Sequence, residues 1–454
     1  MNSSVELYDA EIPKARTEVY HEPYPFTLHD NFRASYAELH NRPFPVVSTP
    51  LCVSHIALKH DVSCTAAATR EHLRTLCERY SVNGPRDGDT CFYQDFGEFE
   101  VRWEQHFEFC SYTVIVHDQA AVPFQAPPID LLPQDWLSSL PGQLIAAVHV
   151  EMRDALNEDV TPQVLRPWFE GQRLIGSQIG AGRASLWSAF RLHSDNFNRI
   201  LVLSKDLNEC QAGRVLRALL ELETYRNMML LAFPLAREIS RKVTGMERQL
   251  AEAVRQMGDI RSAEDERVRL NELSAMAAAI SEMIADTRYR FDATHAYYDL
   301  VESRLAELEE REISELQTVR AFIDRRLLPA FRTVQAAQRR MDDLARRIDS
   351  ASDFLRTRVD MSIEAQNHEL LISMDRRAKL QLNLQQTVEG LSVMVLSYYL
   401  VALVEKLLGG VSIFAEGFNK PLAVAICVPI ALGAVWGLSR RWKKRLKKME
   451  SKWK

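Results

Sequence analysis

Between Asp259 and Glu389 the chain has no glycine and a single proline, Pro329. Those two residues make most tight turns, so a turn-rich β structure is not expected there. The seven cysteines (Cys52, Cys64, Cys77, Cys91, Cys110, Cys210, Cys427) form no C-x-x-C pair, and their number is odd. This points away from a zinc ribbon or a fully paired disulfide framework; free thiols in a reducing compartment are expected. G-x-S-x-G, H-E-x-x-H and kinase-type motifs are missing as well. Gly176–Gly182 (GSQIGAG) lacks G-x-G-x-x-G spacing and the lysine of a P-loop, so a loop or hairpin is expected. His55, His60, His106, His117, His149 and His193 are scattered without ligand spacing. No catalytic constellation and no metal site follows, and the chain is not expected to be an enzyme.

What is present starts with ordinary averages. The chain has 454 residues, 46% of them hydrophobic and 26% charged, with a net charge of −5. This length allows about three structural units. Charge is not spread evenly. Arg440–Lys454 holds nine Lys or Arg and one acid, Glu450, a balance of +8, which leaves −13 for the rest. An acidic body argues against nucleic-acid binding. Met1–Lys14 contains Glu6, Asp9 and Glu11 without a continuous apolar core, so it does not read as a secretory signal. The body is therefore expected in the cytosol.

Residues 1–50 are rich in proline and read as an irregular lead-in, with one short helix around Asn31–His40. A helix is predicted at Ala66–Tyr80. From Glu98 to Phe109 apolar and polar residues alternate. Glu98, Glu100, Arg102, Glu104, His106 and Glu108 share one face; Phe99, Val101, Trp103, Phe107 and Phe109 take the other, with Gln105 the exception. Period two predicts one half-buried strand with a wet face, continuing through Tyr112–Val116. The wet face could hold a divalent ion through oxygens and one imidazole, but simple solvation accounts for alternating charges. Leu144–Met152, Leu186–Phe190 and Ile200–Leu203 are further strand candidates.

After Ala212 the texture becomes helical. A helix is predicted over Gly213–Glu238, kinked or broken at Pro234. From Asp259 onward Ala, Leu, Glu, Arg and Met dominate, giving two or three very long helices with breaks near Ser262–Glu264 and at Leu328–Pro329. Gly390–Val404 carries no charge, and Thr387–Leu408 is long enough to cross a bilayer. Pro421–Leu438 is a second uncharged run of eighteen. The basic tail follows directly, and the positive-inside rule assigns it to the cytoplasm.

The expected architecture is an α+β cytosolic domain, then long antiparallel helices forming a stalk, then two C-terminal transmembrane helices. The boundaries are 1–210 for the mixed α/β domain, 211–385 for the coiled-coil-like stalk, 386–438 for the transmembrane hairpin and 439–454 for the basic tail. This predicts a multi-pass protein of the inner (plasma) membrane with both termini cytoplasmic.

Ala212–Glu238 (AGRVLRALLELETYRNMMLLAFPLARE) and Ser373–Tyr399 (SMDRRAKLQLNLQQTVEGLSVMVLSYY) resemble an uncharacterised bacterial family of membrane-anchored proteins, domain of unknown function 3422. Leu39–Pro45 (LHNRPFP) and Trp103–Phe109 (WEQHFEF) extend the likeness over nearly the whole chain. It implies no activity. In layout alone the chain is also similar to CorA-type magnesium channels. That resemblance implies a homo-oligomer, a pentamer in that group, with the first span lining a pore and a divalent cation as the ion carried. Those channels carry Gly-Met-Asn at the outer end of the first span, where this chain has Glu405-Lys406-Leu407-Leu408-Gly409-Gly410. Magnesium transport therefore does not carry over.

The residues singled out lie in the membrane region. At about 100° per residue, Gln385, Glu389, Ser392 and Tyr399 fall within roughly 80° of one another. They are the pore-lining candidates, since a polar stripe should face a partner helix or water. The plainer alternative puts Glu389 among solvated headgroups and packs Tyr398 and Tyr399 between helices. Arg440, Arg441, Lys443, Lys444, Arg445, Lys447 and Lys448 read as a topology determinant binding anionic membrane lipids. A basic ring acting on a pore mouth is the sharper alternative. The function expected is that of an ion channel or transporter with a cytosolic regulatory domain, or else a non-transporting membrane-tethered scaffold or sensor.

Overall fold

A computed structural model gives the fold, and it describes residues 26–30, 32, 36, 46–60, 65–155, 160–259, 262–414 and 420–450. Of the short helix expected around Asn31–His40, Phe32 and Tyr36 are helical. The remainder of that segment, Leu39–Pro45, Cys64 and residues 415–419 lie outside the described residues. The chain forms two compact units, 1–260 with 271–351 and 261–270 with 352–454.

The first unit is built on a mixed nine-stranded sheet. Its strands are β1 (Leu51–Lys59), β2 (Cys91–Asp95), β3 (Glu100–Gln105), β4 (Phe109–Val116), β5 (Gln143–Asp154), β6 (Ile175–Ile179), β7 (Ala184–Ser188), β8 (Asn198–Ser204) and β9 (Arg311–Glu312). Their order is β2-β3-β4-β1-β5-β8-β7-β6-β9. β1 pairs antiparallel with both β4 and β5, whereas β5 and β8 run parallel. β1 is central, and eight of its nine residues are buried. That fits its nearly unbroken apolar sequence, since only a strand covered on both faces can bury such a run.

Helices cover both faces. Helix α1 (Ala66–Arg79) starts where the Thr65 hydroxyl accepts the Ala68 amide hydrogen. It presses Leu73 and Leu76 into a core with Trp103, Tyr112 and Trp136. On the other face lie α2 (Glu209–Leu230) and α3 (Ala232–Gln256). A reciprocal Asn208/Gln211 capping box opens α2. The break between α2 and α3 falls at Leu231, so Pro234 sits in the first turn of α3, where a missing amide costs nothing.

Two expectations need correction. The single strand over Glu98–Phe109 is a hairpin: β3 ends at Gln105, the His106 amide bonds to the Phe109 carbonyl, and β4 returns in the register Gln105↔Cys110. The alternation survives the turn, which hid it. Phe107 at the tip is 89% exposed, not core. The exception at Gln105 is explained too, because its buried side chain accepts the Thr69 hydroxyl hydrogen at 3.0 Å. The supposedly wet face is largely covered, with Arg102 and Glu104 set beneath α2 and Glu108 held at 2.7 Å by Arg290 and 2.8 Å by the Tyr297 hydroxyl.

The break expected at Leu328–Pro329 does not occur. Helix α4 (Ala263–Glu307) and helix α5 (Val319–Phe414, 96 residues) are separated instead at residues 308–318. Pro329 lies inside α5, where the flanking Leu327 and Ala330 are buried in the main core and hold the helix through the lost hydrogen bond. The real break is stabilised by Glu310. Its carboxylate accepts the Val319 amide and, at 2.9 Å, the Arg320 amide, and it takes the Ser177 hydroxyl hydrogen. These contacts satisfy donors that α5 leaves open at its start.

Gly176–Gly182 forms the expected hairpin, β6 turning into β7. A Cβ at Gly176 would stand 2.8 Å from the Trp187 ring, so the close approach of the two strands requires glycine there.

Helix α6 (Lys420–Glu450) completes the second unit. The fold is thus an N-terminal mixed α/β sheet domain, a very long helix and a C-terminal apolar helix. Two helices, Val319–Gly410 and Pro421–Leu438, contain stretches long and apolar enough to cross a membrane.

Candidate functional site

Several buried polar residues of the sheet domain gather around β1. His55 lies on its α2 side and bridges two threonines. Nδ1 is 2.8 Å from Thr113 Oγ1, and Nε2 is 3.1 Å from Thr224 Oγ1. Thr224 already donates its hydroxyl hydrogen to the Leu220 carbonyl oxygen at 3.0 Å. Only its lone pairs remain for His55, so Nε2 carries the ring proton and Nδ1 accepts from Thr113. Burial depresses the imidazole to about 4.

Beside this bridge is a small cavity of about 40 Å³ lined by His55, Arg102, Glu104, His106, Arg217 and Glu221 among others. The volume suits a few water molecules and is far below that of an organic-ligand pocket. Its charges are paired: Arg102 bonds Glu104 at 2.8 Å, and Arg304 reaches Glu221 at 2.6 Å. Burial raises Glu221 above the usual carboxylate range despite Arg304 and Arg217. Burial also works on Glu104, but there the Arg102 guanidinium prevails and holds the carboxyl below that range. Among the described residues no group of three or more His, Cys, Asp or Glu side chains is placed to hold a metal.

On the opposite side of the sheet, Ser54, His149 and Asp195 come together. Ser54 Oγ accepts the Ile129 amide hydrogen at 3.1 Å and lies within hydrogen-bond distance of His149 Nδ1, at 2.9 Å. His149 Nε2 is 3.8 Å from Asp195 Oδ2 and has no hydrogen-bond partner among the described residues. His149 stacks on Phe197, with centroids 4.0 Å apart. Burial lowers its imidazole to about 4, against the opposing pull of Asp195. The trio has the composition of a hydrolytic triad but not its access: Ser54 is fully buried and its oxygen is already engaged.

In the second unit, Val393 and Ser397 of α5 and Leu432, Gly433 and Trp436 of α6 line one open cleft. The four pore-lining candidates, Gln385, Glu389, Ser392 and Tyr399, all lie on α5 and are exposed. At about 100° per residue their stripe is centred about 100° from the side carrying Val393 and Ser397. Arg440 and Arg441 are exposed on α6, and the Arg440 guanidinium stands 4.9 Å from the Trp436 ring centroid. Lys443, Lys444, Arg445, Lys447 and Lys448 belong to the same helix, with side chains outside the described residues.

Sequence reasoning missed both histidine networks, treating His55 and His149 as scattered. One signal was available. Ser54 and His55 interrupt the apolar run of β1 on opposite faces, and His149 interrupts β5. A polar residue inside a doubly covered strand has to find a buried partner.

Two comparisons were empty: no curated protein and no solved structure matches the chain. A family model described as protein of unknown function (DUF3422) matches residues 28–446.

Proposed function

The chain belongs to the DUF3422 family of proteins of unknown function, and from that premise we propose that it is an inner-membrane protein that assembles with copies of itself and passes ions along its first span. The α/β domain and both termini are cytoplasmic, Thr387–Leu408 and Pro421–Leu438 cross the bilayer, and the basic end of α6 binds anionic headgroups. The protein acts without catalysis. A cation is the ion favoured, because copies of Glu389 brought together would attract one.

The observation that carries this reading is the position of the polar stripe. Ser392 and Tyr399 are exposed within the uncharged run of α5, with Gln385 and Glu389 on the same side at its entrance, and Val393 and Ser397, which face the cleft shared with α6, lie on a different side. Polar groups facing hydrocarbon are costly, so the stripe calls for another helix or water. Copies arranged around that stripe supply both. The mass of the detergent-solubilised protein and ion flux into liposomes test the proposal. A strict monomer, or liposomes without flux, overturns it.

A second reading is a tethered sensor whose spans serve only as an anchor. The buried ionic network of the sheet domain favours it, since such networks are costly to build where stability alone is at stake. On this reading an unrelated tether replaces the spans without loss of function, and Glu389→Ala is silent.

A further inference from the structure

The open cleft between α5 and α6 lies within the two apolar runs and has a volume of about 400 Å³, the size of a ligand pocket. Its lining offers little to water. Val393, Leu432 and Gly433 are apolar, and the Ser397 hydroxyl already donates to the Val393 carbonyl oxygen at 2.7 Å. Gly433 helps to keep the cleft open, since a Cβ built there meets no atom within 4 Å.

One end of the cleft is basic. The Arg440 guanidinium stands 4.9 Å from the centroid of the Trp436 ring that lines it, and both residues are exposed. Arg440 is one turn, about 6 Å, beyond Trp436 toward the tail. At about 100° per residue, positions 440 and 443 of α6 fall within about 35° of the cleft direction. Positions 441 and 445 fall more than about 130° from it. On α5 the position in line with the cleft at this end is Gln386, which is neutral, with Glu389 about 60° to one side.

We propose that this cleft binds an anionic phospholipid, with one acyl chain against Val393, Leu432 and Gly433 and the headgroup phosphate held by Arg440 and Lys443. The inference rests on the membrane reading above and deepens it, giving the basic end of α6 a defined site in place of a general attraction to headgroups. Three observations favour this occupant. First, a lining with its polar groups already satisfied is filled by hydrocarbon and not by water, which needs several polar partners. Second, a cation at the mouth calls for an anion, and basic pockets between spans on the cytoplasmic side take anionic headgroups. A neutral lipid leaves that charge unmatched. Third, Trp436 sits between the apolar lining and the guanidinium, at the level where indole rings settle in a bilayer. Copies gathered around the stripe through Glu389 meet α5 about 100° away and leave the cleft to lipid.

Native mass spectrometry of the full chain tests the inference, after reconstitution in vesicles of phosphatidylcholine and phosphatidylglycerol and release in mild detergent. The unaltered chain should retain phosphatidylglycerol in several-fold excess over phosphatidylcholine. Arg440→Gln with Lys443→Gln should cut that retention several-fold. Arg441→Gln with Arg445→Gln removes the same charge from the other side of α6 and should leave it unchanged. Gly433→Leu, which fills the cleft, should lower retention with the basic end intact. Equal losses in the two double variants overturn the site and leave a diffuse basic surface. Full retention in Gly433→Leu overturns it too, as does equal retention of the two lipids. A photo-crosslinking residue in place of Leu432 should attach to lipid; attachment to a second copy gives the cleft to protein and overturns the proposal. Alkaline carbonate extraction separates the inference from the reading beneath it. A chain that stays in the vesicles yet retains no phosphatidylglycerol overturns the lipid site alone, and a chain that is stripped off overturns both. Where only Gly433→Leu is stripped off, the double variants decide, because they leave both apolar runs intact.

Discussion

His55 Nε2 and Thr224 Oγ1 lie 3.1 Å apart, a hydrogen bond that ties the central strand β1 to helix α2 across the main core. Because Thr224 donates to Leu220, the bond runs one way, from imidazole to hydroxyl. Thr224→Val keeps the shape and removes the acceptor, leaving a buried N–H unpaired at a cost of about 1–3 kcal/mol. Thermal unfolding followed by circular dichroism should show a Tm lower by several degrees. An unchanged Tm would mean that the ring proton has another partner.

The same ring makes stability depend on pH. His55 is depressed to about 4 by burial, as is His149, whereas an unfolded histidine titrates near 6.5. Between those values the unfolded chain binds more protons than the folded one, so stability falls with falling pH. The contribution is intact above about pH 6.5, drains away down to about pH 4, and amounts to about 3 kcal/mol for each ring. Denaturant midpoints measured from pH 7 to pH 4.5 should drop steadily. His149→Phe, which keeps an aromatic ring against Phe197, should flatten that slope.

Glu310 offers a test of the break that replaced the one expected at Pro329. Its carboxylate holds the first two amides of α5, Val319 and Arg320. In Glu310→Ala those donors lose their partner, so hydrogen exchange should accelerate at residues 319–321 and stability should fall by about 1–2 kcal/mol. Unchanged exchange there would show that Ser177, which also accepts the Val319 amide at 3.0 Å, suffices alone.

The hairpin and the core separate in the same way. Phe107, exposed at the tip, should tolerate Phe107→Ser within about 0.5 kcal/mol. Trp103, fully buried two pairs back along β3, should lose about 3–5 kcal/mol on Trp103→Ala. Had the alternation meant one uninterrupted strand, the two substitutions would cost alike.

These residues show what could be read in advance. Patterns repeated over many positions were legible: the helix at residues 66–79, the strands at residues 143–154 and 198–204, the very long helices and the two apolar runs. Features set by one contact were not. The turn after Gln105 preserves the alternation on either side, so periodicity cannot reveal it. Pro329 fails to break α5 because distant core residues hold the helix, a tertiary effect invisible locally. The break at residues 308–318 contains no glycine or proline and depends on Glu310 finding Ser177 across 133 positions. Of the candidate site, the stripe through Glu389 could be read from helical spacing. Of the histidine networks only the polar interruptions of β1 and β5 were readable; the partners were not, since Thr113 lies on another strand and Thr224 on α2.

The orientation in the membrane yields the most direct test. The basic end of α6 should stay in the cytoplasm, which places the link between the two apolar runs on the other side and the sheet domain with the tail. Cys210 is exposed on the sheet domain and serves as an internal reporter. Ala415→Cys lies just beyond α5. In intact spheroplasts a membrane-impermeant maleimide should label Ala415→Cys and leave the unaltered chain unmodified until the membrane is permeabilised. If Cys210 reacts from outside, the domain faces outward and the topology is inverted. If neither position reacts, the two apolar helices do not form a transmembrane hairpin, and the polar stripe needs no partner within the bilayer.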